Sequence, residues 1–384
     1  MSVIRIPAVF MRGGTSKAVV FHGRDLPESD AEHDAIFLHV LGSPDPNQRQ
    51  LDGMGGGLSS LSKVVVVEPS NRPEVDVDYT FAQVAVDQPV VDYSAMCGNM
   101  SASVGPFAVD EGLVEVEDGE VVVRIYNTNT DKVYHARFAV EGGKAVEEGS
   151  FKIPGVSGTG ARITLDYQDP GGAATSGFLP SGTVRDRVEV EGLGEVGVSL
   201  VDATNPVVFV QASELGYTAS EPPDMLESDQ GLLHRLDAIR RKGGVQMGMA
   251  ESAEAINLAN PKVAMIGPAA KFTALDGSDY DPDTHDLSVR IVSMERIHRA
   301  ITLTGAMCTA AAVGVNGSIP NEFTTSCTPL RIGNPSGVLP VEAQVRNDRN
   351  GGFTAVSVTC YRTQRRLMEG SVLVPAKLLS GGVE

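Results

Sequence analysis

MCGNMSASVGPFAV at residues 96–109 and TGAMCTAAAVGV at residues 304–315 follow one pattern. Each begins with Gly or Asn among its first residues and continues in Ala, Ser, Val and Gly. Each therefore predicts a helix of small side chains with free backbone N–H groups at its start. Other elements can approach such a helix closely, so it suits the centre of a curled sheet. The two stretches stand about half a chain apart in 384 residues. They predict an α+β fold made of two copies of one β-rich unit, each with a buried helix. The boundary is expected near residue 185, after the Gly, Ser and Pro-rich GGAATSGFLPSGT at 171–183, giving domains 1–185 and 186–384. The last strand could pack back on the first domain.

Strand patterns surround these helices. Val3–Phe10, Val64–Val67, Val75–Val86, Val121–Tyr126, Val133–Val140, Val188–Val201, Val207–Val210, Leu287–Val292 and Thr354–Cys360 are rich in β-branched residues, several with period-two alternation. Two further helices are expected. Ser29–Leu41 stops at Gly42, and Glu221–Lys242 ends in three cations before Gly243 and Gly244.

Charge narrows the function classes. With 31 basic and 49 acidic residues the net charge is −18, which argues against nucleic acid as a partner. An anionic ligand would need a local positive pocket. Aromatics make up 5% with no Trp, against 42 glycines, so backbone-lined turns are expected rather than stacking platforms. The four cysteines, Cys97, Cys308, Cys327 and Cys360, form no C-x-x-C and read as reduced thiols of a cytoplasmic protein. The N-terminus lacks the apolar core of a signal peptide, and no run has the length of a membrane span. No metal-ligand spacing is present. A homo-oligomer is compatible with all of this.

Three segments could carry chemistry. DGMGGGLSSLSKVVVV at 52–67 is neither a P-loop nor a dinucleotide fingerprint, because a strand follows it instead of a helix. It leaves Ser59, Ser60, Ser62 and Lys63 in a donor-rich turn. Lys63 is then either a surface lysine at a strand start or an ammonium delivered into a pocket, where desolvation would lower its pKa. Cys97, before Gly98 and Asn99, is either a core thiol or a thiol activated at a helix start, where the same N–H groups bind a carboxylate. MRGGTSK at 11–17 sets Arg12, Thr15, Ser16 and Lys17 in a glycine turn suited to a carboxylate, though such turns also simply connect hairpins. Cys308, among alanines, reads as packing. His298 before the second helix reads as structural or solvated more readily than as catalytic.

In order along the chain, MRGGTSK, GSPDPNQRQLDGMGGGLSSLSKV, MCGNMSASVGPFA, PKVA, TGAMCTAAA, NPSG and RRLMEGSVLVP resemble the motifs of the PrpF family. That family includes 2-methylaconitate isomerase, 4-oxalomesaconate tautomerase and 3-methylitaconate isomerase. The resemblance implies a diaminopimelate-epimerase-like fold, two similar domains each wrapped on a central helix, with the active site between them. It also implies that Lys63 and Cys97 are the acid/base pair. Substrate binding is implied for Arg12, Thr15, Ser16, Ser60, Gly98, Asn99, Met100, Lys262, His298, Thr304, Gly305 and Ala306. In the amino-acid epimerases of this fold a second cysteine opens the second helix. Here Thr302 matches that place, so a two-thiol mechanism is unavailable and Lys63 replaces one member. Ala18 stands where many relatives have Gly, and Asn334 where they have His, which bears on how a distal carboxylate is held.

The implied reaction is a cofactor-independent 1,3-proton shift or cis–trans isomerisation of an unsaturated di- or tricarboxylate such as 2-methylaconitate, with Lys63 removing the proton and Cys97 returning one. The alternatives are 4-oxalomesaconate tautomerase, a tricarboxylate-binding accessory protein of an aconitase-like Fe–S enzyme, and an amino-acid racemase. The last is disfavoured by Thr302. The GSPDP and RRLMEGSVLVP segments lean toward the 2-methylaconitate branch.

Overall fold

A computed structural model describes all residues except 1, 95, 259, 294, 295, 327, 348–351 and 380–384. It divides into two compact units, residues 1–166 with 361–384, and residues 167–360. Position 185, where the sequence reading put the boundary, thus falls inside the second unit. The fold is α+β, and no helix among the described residues is long and apolar enough to cross a membrane.

In the first unit the strand Val3–Gly13 turns through Gly14 and Thr15 into the strand Ser16–His22. Gly14 has φ +51°, a left-handed conformation that glycine adopts without a Cβ clash. Val3–Gly13 pairs on its other side with Gln364–Pro375, antiparallel along its whole length. Ser16–His22 runs parallel to Lys63–Pro69, which pairs antiparallel with Val77–Val84. The strands Gly119–Asn127 and Lys132–Glu141 continue the sheet.

Helix α1 (Asp30–Leu41) stops at Gly42, whose N–H caps the His39 and Leu38 carbonyls from a left-handed φ of +75°. It covers one sheet face, packing Ile36, Phe37, Val40 and Leu41 among Val19, Val64, Val66, Ala82 and Val84. Helix α2 (Ser101–Asp110) is buried from Ser101 through Val109. A Cβ on its Gly105 would stand 2.8 Å from the Phe138 ring and 3.0 Å from the Ala136 side chain. The small residues thus permit the close approach that the sequence implied.

The second unit repeats this plan. Pro206–Gln211 runs parallel to Lys262–Pro268, which pairs antiparallel with Leu287–Ser293. The strands Leu330–Asn334, Gly337–Asn347 and Phe353–Arg362 follow. Between the parallel strands lie α3 (Pro223–Ser228) and α4 (Gln230–Gln246), and Leu232, Leu236 and Ile239 of α4 pack on Val208, Val210, Val263 and Met265. Helix α5 (Leu303–Val313) is the buried counterpart of α2, and the short α6 (Ile319–Phe323) follows it.

Two sequence expectations are corrected here. The single helix expected over Glu221–Lys242 is broken at Asp229, whose carboxylate accepts from the Leu232 N–H at 2.9 Å and N-caps α4. Its far end continues through Gly243 and Gly244, because a Cβ on Gly243 would meet Val208 at 2.6 Å. Those glycines serve close packing, not termination. The single strand expected over Val188–Val201 is a hairpin, Asp186–Val190 and Gly194–Asp202, turned at Gly192 with φ +78°.

Candidate active site

Lys63 opens its strand with Val64 and Val66 directed at α1, so period-two geometry turns Lys63 to the opposite, α2 face. The side chain is 7% exposed. Its Nζ donates to Oε1 of Gln83, its cross-strand partner, at 2.5 Å and lies 4.9 Å from the Phe81 ring centroid. Gln83 is fixed in turn, its Nε2 donating to the carbonyls of Ser59 at 3.0 Å and Ser62 at 2.8 Å. The lysine is therefore aimed by the Gln83 amide and the Phe81 ring.

Cys97 lies four residues ahead of α2, a half-buried free thiol. Its carbonyl accepts from Ser101 N–H at 3.0 Å, Ser101 Oγ at 3.1 Å and Tyr79 Oη at 3.4 Å. Tyr79, Phe81 and Gln83 alternate along one strand, so a single face of Val77–Val84 touches both the Cys97 turn and the Lys63 Nζ. Tyr79 and Phe81 are two residues apart, about 7 Å along that strand.

The MRGGTSK turn clamps the same segment. A Cβ on Gly13 would be 2.6 Å from the Asn99 carbonyl oxygen, and one on Gly14 would be 2.3 Å from Asn99 Oδ1. The Asn99 amide donates to Thr15 Oγ1 at 3.1 Å and accepts from Thr15 N–H at 3.4 Å and Arg362 Nε at 3.2 Å. Arg12 donates to the carbonyls of Gly14, Thr363 and Gln364, so its guanidinium braces this turn. Burial, and then Arg365, hold its pKa below the ordinary arginine value. Ser16 is buried on the neighbouring strand, and Met100 is buried in the core, contributing its backbone. Ser60 sits in a short 3₁₀ turn, Ser59–Leu61.

The glycine segment is organised by Gln50, which sequence reasoning passed over. Its Nε2 donates to Ser43 Oγ and Ser62 Oγ, and its Oε1 accepts from Gly57 N–H. Gln83, Tyr79 and Arg362 were also missed. An apolar alternation that places a Gln beside a Lys in register, as in FAQVAV opposite KVVVV, was the available signal for Gln83.

In the second unit Lys262 occupies the topological place that Lys63 holds in the first. It is the first residue of the strand that returns parallel after a helix, with Val263 and Met265 facing α4. Burial, and then Arg240, pull its pKa down to about 8. His298 Nδ1 accepts from Ala300 N–H at 3.1 Å, which leaves the proton of the neutral ring on Nε2. Its pKa is lowered mainly by burial and further by the charge of Lys262, so the ring is neutral at pH 7. Thr302 N-caps α5, its Oγ1 accepting from Gly305 N–H at 3.1 Å, and Ala306 N–H reaches the Thr302 carbonyl at 2.8 Å. The Thr304 carbonyl accepts from Thr204.

Asn334 turns its amide onto its own loop, Oδ1 accepting from Ser336 N–H at 3.1 Å. Cys308 is fully buried, which pushes its thiol pKa far up, and Cys360 is buried. Cys327 lies outside the described residues. The structure therefore groups Lys63, Cys97, Thr15 and Asn99 in one unit and Lys262, His298 and Thr302 in the other.

The family model described as "PrpF protein" matches residues 3–375. The chain belongs to the PrpF family. Among curated PrpF-type relatives, it is 40% identical to the 3-methylitaconate isomerase of Eubacterium barkeri, covering 98% of this chain and 99% of that protein. It is 36% identical to the 2-methyl-aconitate isomerase of Shewanella oneidensis, with 97% of each covered. The 4-oxalomesaconate tautomerase of Pseudomonas putida is 35% identical, again with 97% of each covered. A solved methylitaconate-delta-isomerase superposes with TM-score 0.91 at 39% identity, over 100% of this chain and 99% of that one. A hydroxyproline epimerase from Agrobacterium vitis, at TM-score 0.53 and 14% identity over 96% of this chain and 92% of that one, shares the fold alone. The epimerase-like fold implied by the sequence motifs is thereby borne out for this PrpF protein.

Proposed function

We propose that this protein is an isomerase of a small unsaturated di- or tricarboxylate, with Lys63 and Cys97 as its acid/base pair. The reading rests on the single strand face, Tyr79 to Gln83, in which Gln83 accepts from the Lys63 Nζ and Tyr79 donates to the Cys97 carbonyl. Methylitaconate, methylaconitate and oxalomesaconate share a C=C conjugated to a carboxylate with a C–H one carbon away. Removing that proton gives a dienolate, which accepts a proton at the other end or rotates about the former double bond before reprotonation.

Lys63, as the amine, takes the proton from carbon and becomes an ammonium. The Cys97 thiol donates its proton to the dienolate and becomes a thiolate. One proton transfer from ammonium to thiolate restores both, so the cycle consumes no co-reactant. Reversing the direction exchanges the roles. The backbone N–H groups of Gly98 and Asn99 at the start of α2 supply donors for a carboxylate or the dienolate charge. Thr302, engaged in capping α5, offers no second thiol, which favours this reading over an amino-acid racemase.

The experiment is a spectrophotometric assay of 2-methylaconitate, 3-methylitaconate, 4-oxalomesaconate and aconitate. The expected result is turnover of at least one, with 2-methylaconitate preferred. Lys63→Ala and Cys97→Ser each should lower kcat/KM by about 10²–10⁴-fold. Wild-type rates in either variant would remove that residue from the mechanism.

A further inference from the structure

We infer that Gln364 is a specificity-determining residue of this same site, its carboxamide receiving a carboxylate of the substrate beside the Cys97–Met100 turn. The inference rests on the reading above and adds a residue that neither the motifs nor the acid/base chemistry require.

Gln364 begins the strand Gln364–Pro375 and pairs directly with Gly13, which pairs on its other side with Ser16. Residues directly opposite in antiparallel ladders project from the same face. The face of Gly13 is fixed by its neighbours, since a Cβ there would be 2.6 Å from the Asn99 oxygen and 3.0 Å from Met100 Cα. The side chain of Gln364 therefore lies on the α2 side, alongside the turn that leads into the helix.

Gln364 is 3% exposed, and among the described residues neither Nε2 nor Oε1 has a hydrogen-bond partner. A carboxamide carries two N–H donors and an acceptor oxygen, and burying it unpaired is unfavourable. The polar groups around it are already engaged. Arg12 is held by three carbonyls, one of them that of Gln364 itself. The Asn99 amide is held by Thr15 and Arg362. A Leu or Met would fill the same volume without an unpaired amide, so packing does not account for a Gln. A carboxylate oxygen arriving at the turn would accept from Nε2, and Oε1 would accept from a water carried with that carboxylate.

The test compares Gln364→Met, which keeps length and removes the amide, with Gln364→Ala, which removes both. KM, kcat and Tm are measured on the turned-over acid, and the Kd for aconitate is read by calorimetry. The expected result is a KM and Kd raised roughly tenfold or more, with kcat within about threefold of wild type and the Tm of the Met variant unchanged or higher. KM and Kd within twofold of wild type in both variants would overturn the inference, whatever the Tm. If wild type turns over an acid and the variants match it, only the role of Gln364 falls. If wild type neither turns over nor binds any of the acids, the functional reading falls and this inference with it.

Discussion

At the scale of single residues, the amide of Gln83 sets the aim of Lys63. Replacing it by Met keeps the side-chain length but removes the acceptor 2.5 Å from Nζ. Gln83→Met should lower kcat by about tenfold to a hundredfold while Tm falls by only a few degrees, as steady-state kinetics and calorimetry would show. Thiol chemistry separates the cysteines. Under native conditions an alkylating reagent should modify Cys97 and abolish turnover, while Cys308, buried and with its thiol pKa raised, reacts only on unfolding. Peptide mass spectrometry reads both. Lys262 gives a pH-dependent stability. Its folded pKa of about 8 lies below the unfolded value near 10.4, so the folded state holds that proton more weakly. The resulting penalty is complete below about pH 8 and is relieved as pH rises toward 10.4. Lys262→Met should therefore raise stability at pH 7, by on the order of 1–3 kcal/mol, with the gain shrinking above pH 8. A calorimetric pH series measures it. Lys63 and Cys97 stood out as candidates because a cation before a valine run and a thiol before a small-residue helix are local patterns, and the family resemblance supplied their proposed roles. Gln83, Gln50 and Gln364 were not, because each matters only through a partner set by strand register or loop closure.

At the scale of elements, the small-residue stretches told the truth about burial, and the glycines misled about ends. Gly42 terminates α1 because it adopts a left-handed φ, whereas Gly243 and Gly244 stay helical because α4 presses on Val208 and Ile256. Sequence alone does not distinguish these uses, since the difference lies in what stands opposite. The same holds for Gly13 in the MRGGTSK turn, which reads locally as a hairpin residue and acts as a contact surface for Asn99. Gly13→Ala would drive a Cβ into a backbone oxygen, so the Cys97 turn must shift. The expected outcome is a kcat loss of roughly tenfold to a hundredfold with a stability loss of about 1–3 kcal/mol, from kinetics and urea unfolding in parallel.

At the scale of the whole molecule, the duplication and the return of the last strand to the first domain were legible in the sequence, and the identity of that strand's partner was not. The strand Gln364–Pro375 belongs to the first unit, paired along Val3–Gly13, with the Ala376 N–H donating to the Ser2 carbonyl at 3.0 Å. Residues 1–166 alone should thus be unfolded by circular dichroism, and a permuted chain that joins 361–379 ahead of residue 2 should restore a cooperative transition. Period-two patterns identify a strand but not its distant partner, which is why the sequence places the last strand on the first domain without naming Val3–Gly13 beside it. The arrangement also orders events on the ribosome. The second unit is continuous in the chain and can close as it emerges, whereas the strand Val3–Gly13 must wait, its apolar edge exposed, until residues 364–375 have been made. A nascent chain of residues 1–360, followed by a linker long enough to clear the ribosomal exit tunnel, should accordingly resist protease over 167–360 while its first 166 residues are digested, so one half of the molecule is secure before the other can form.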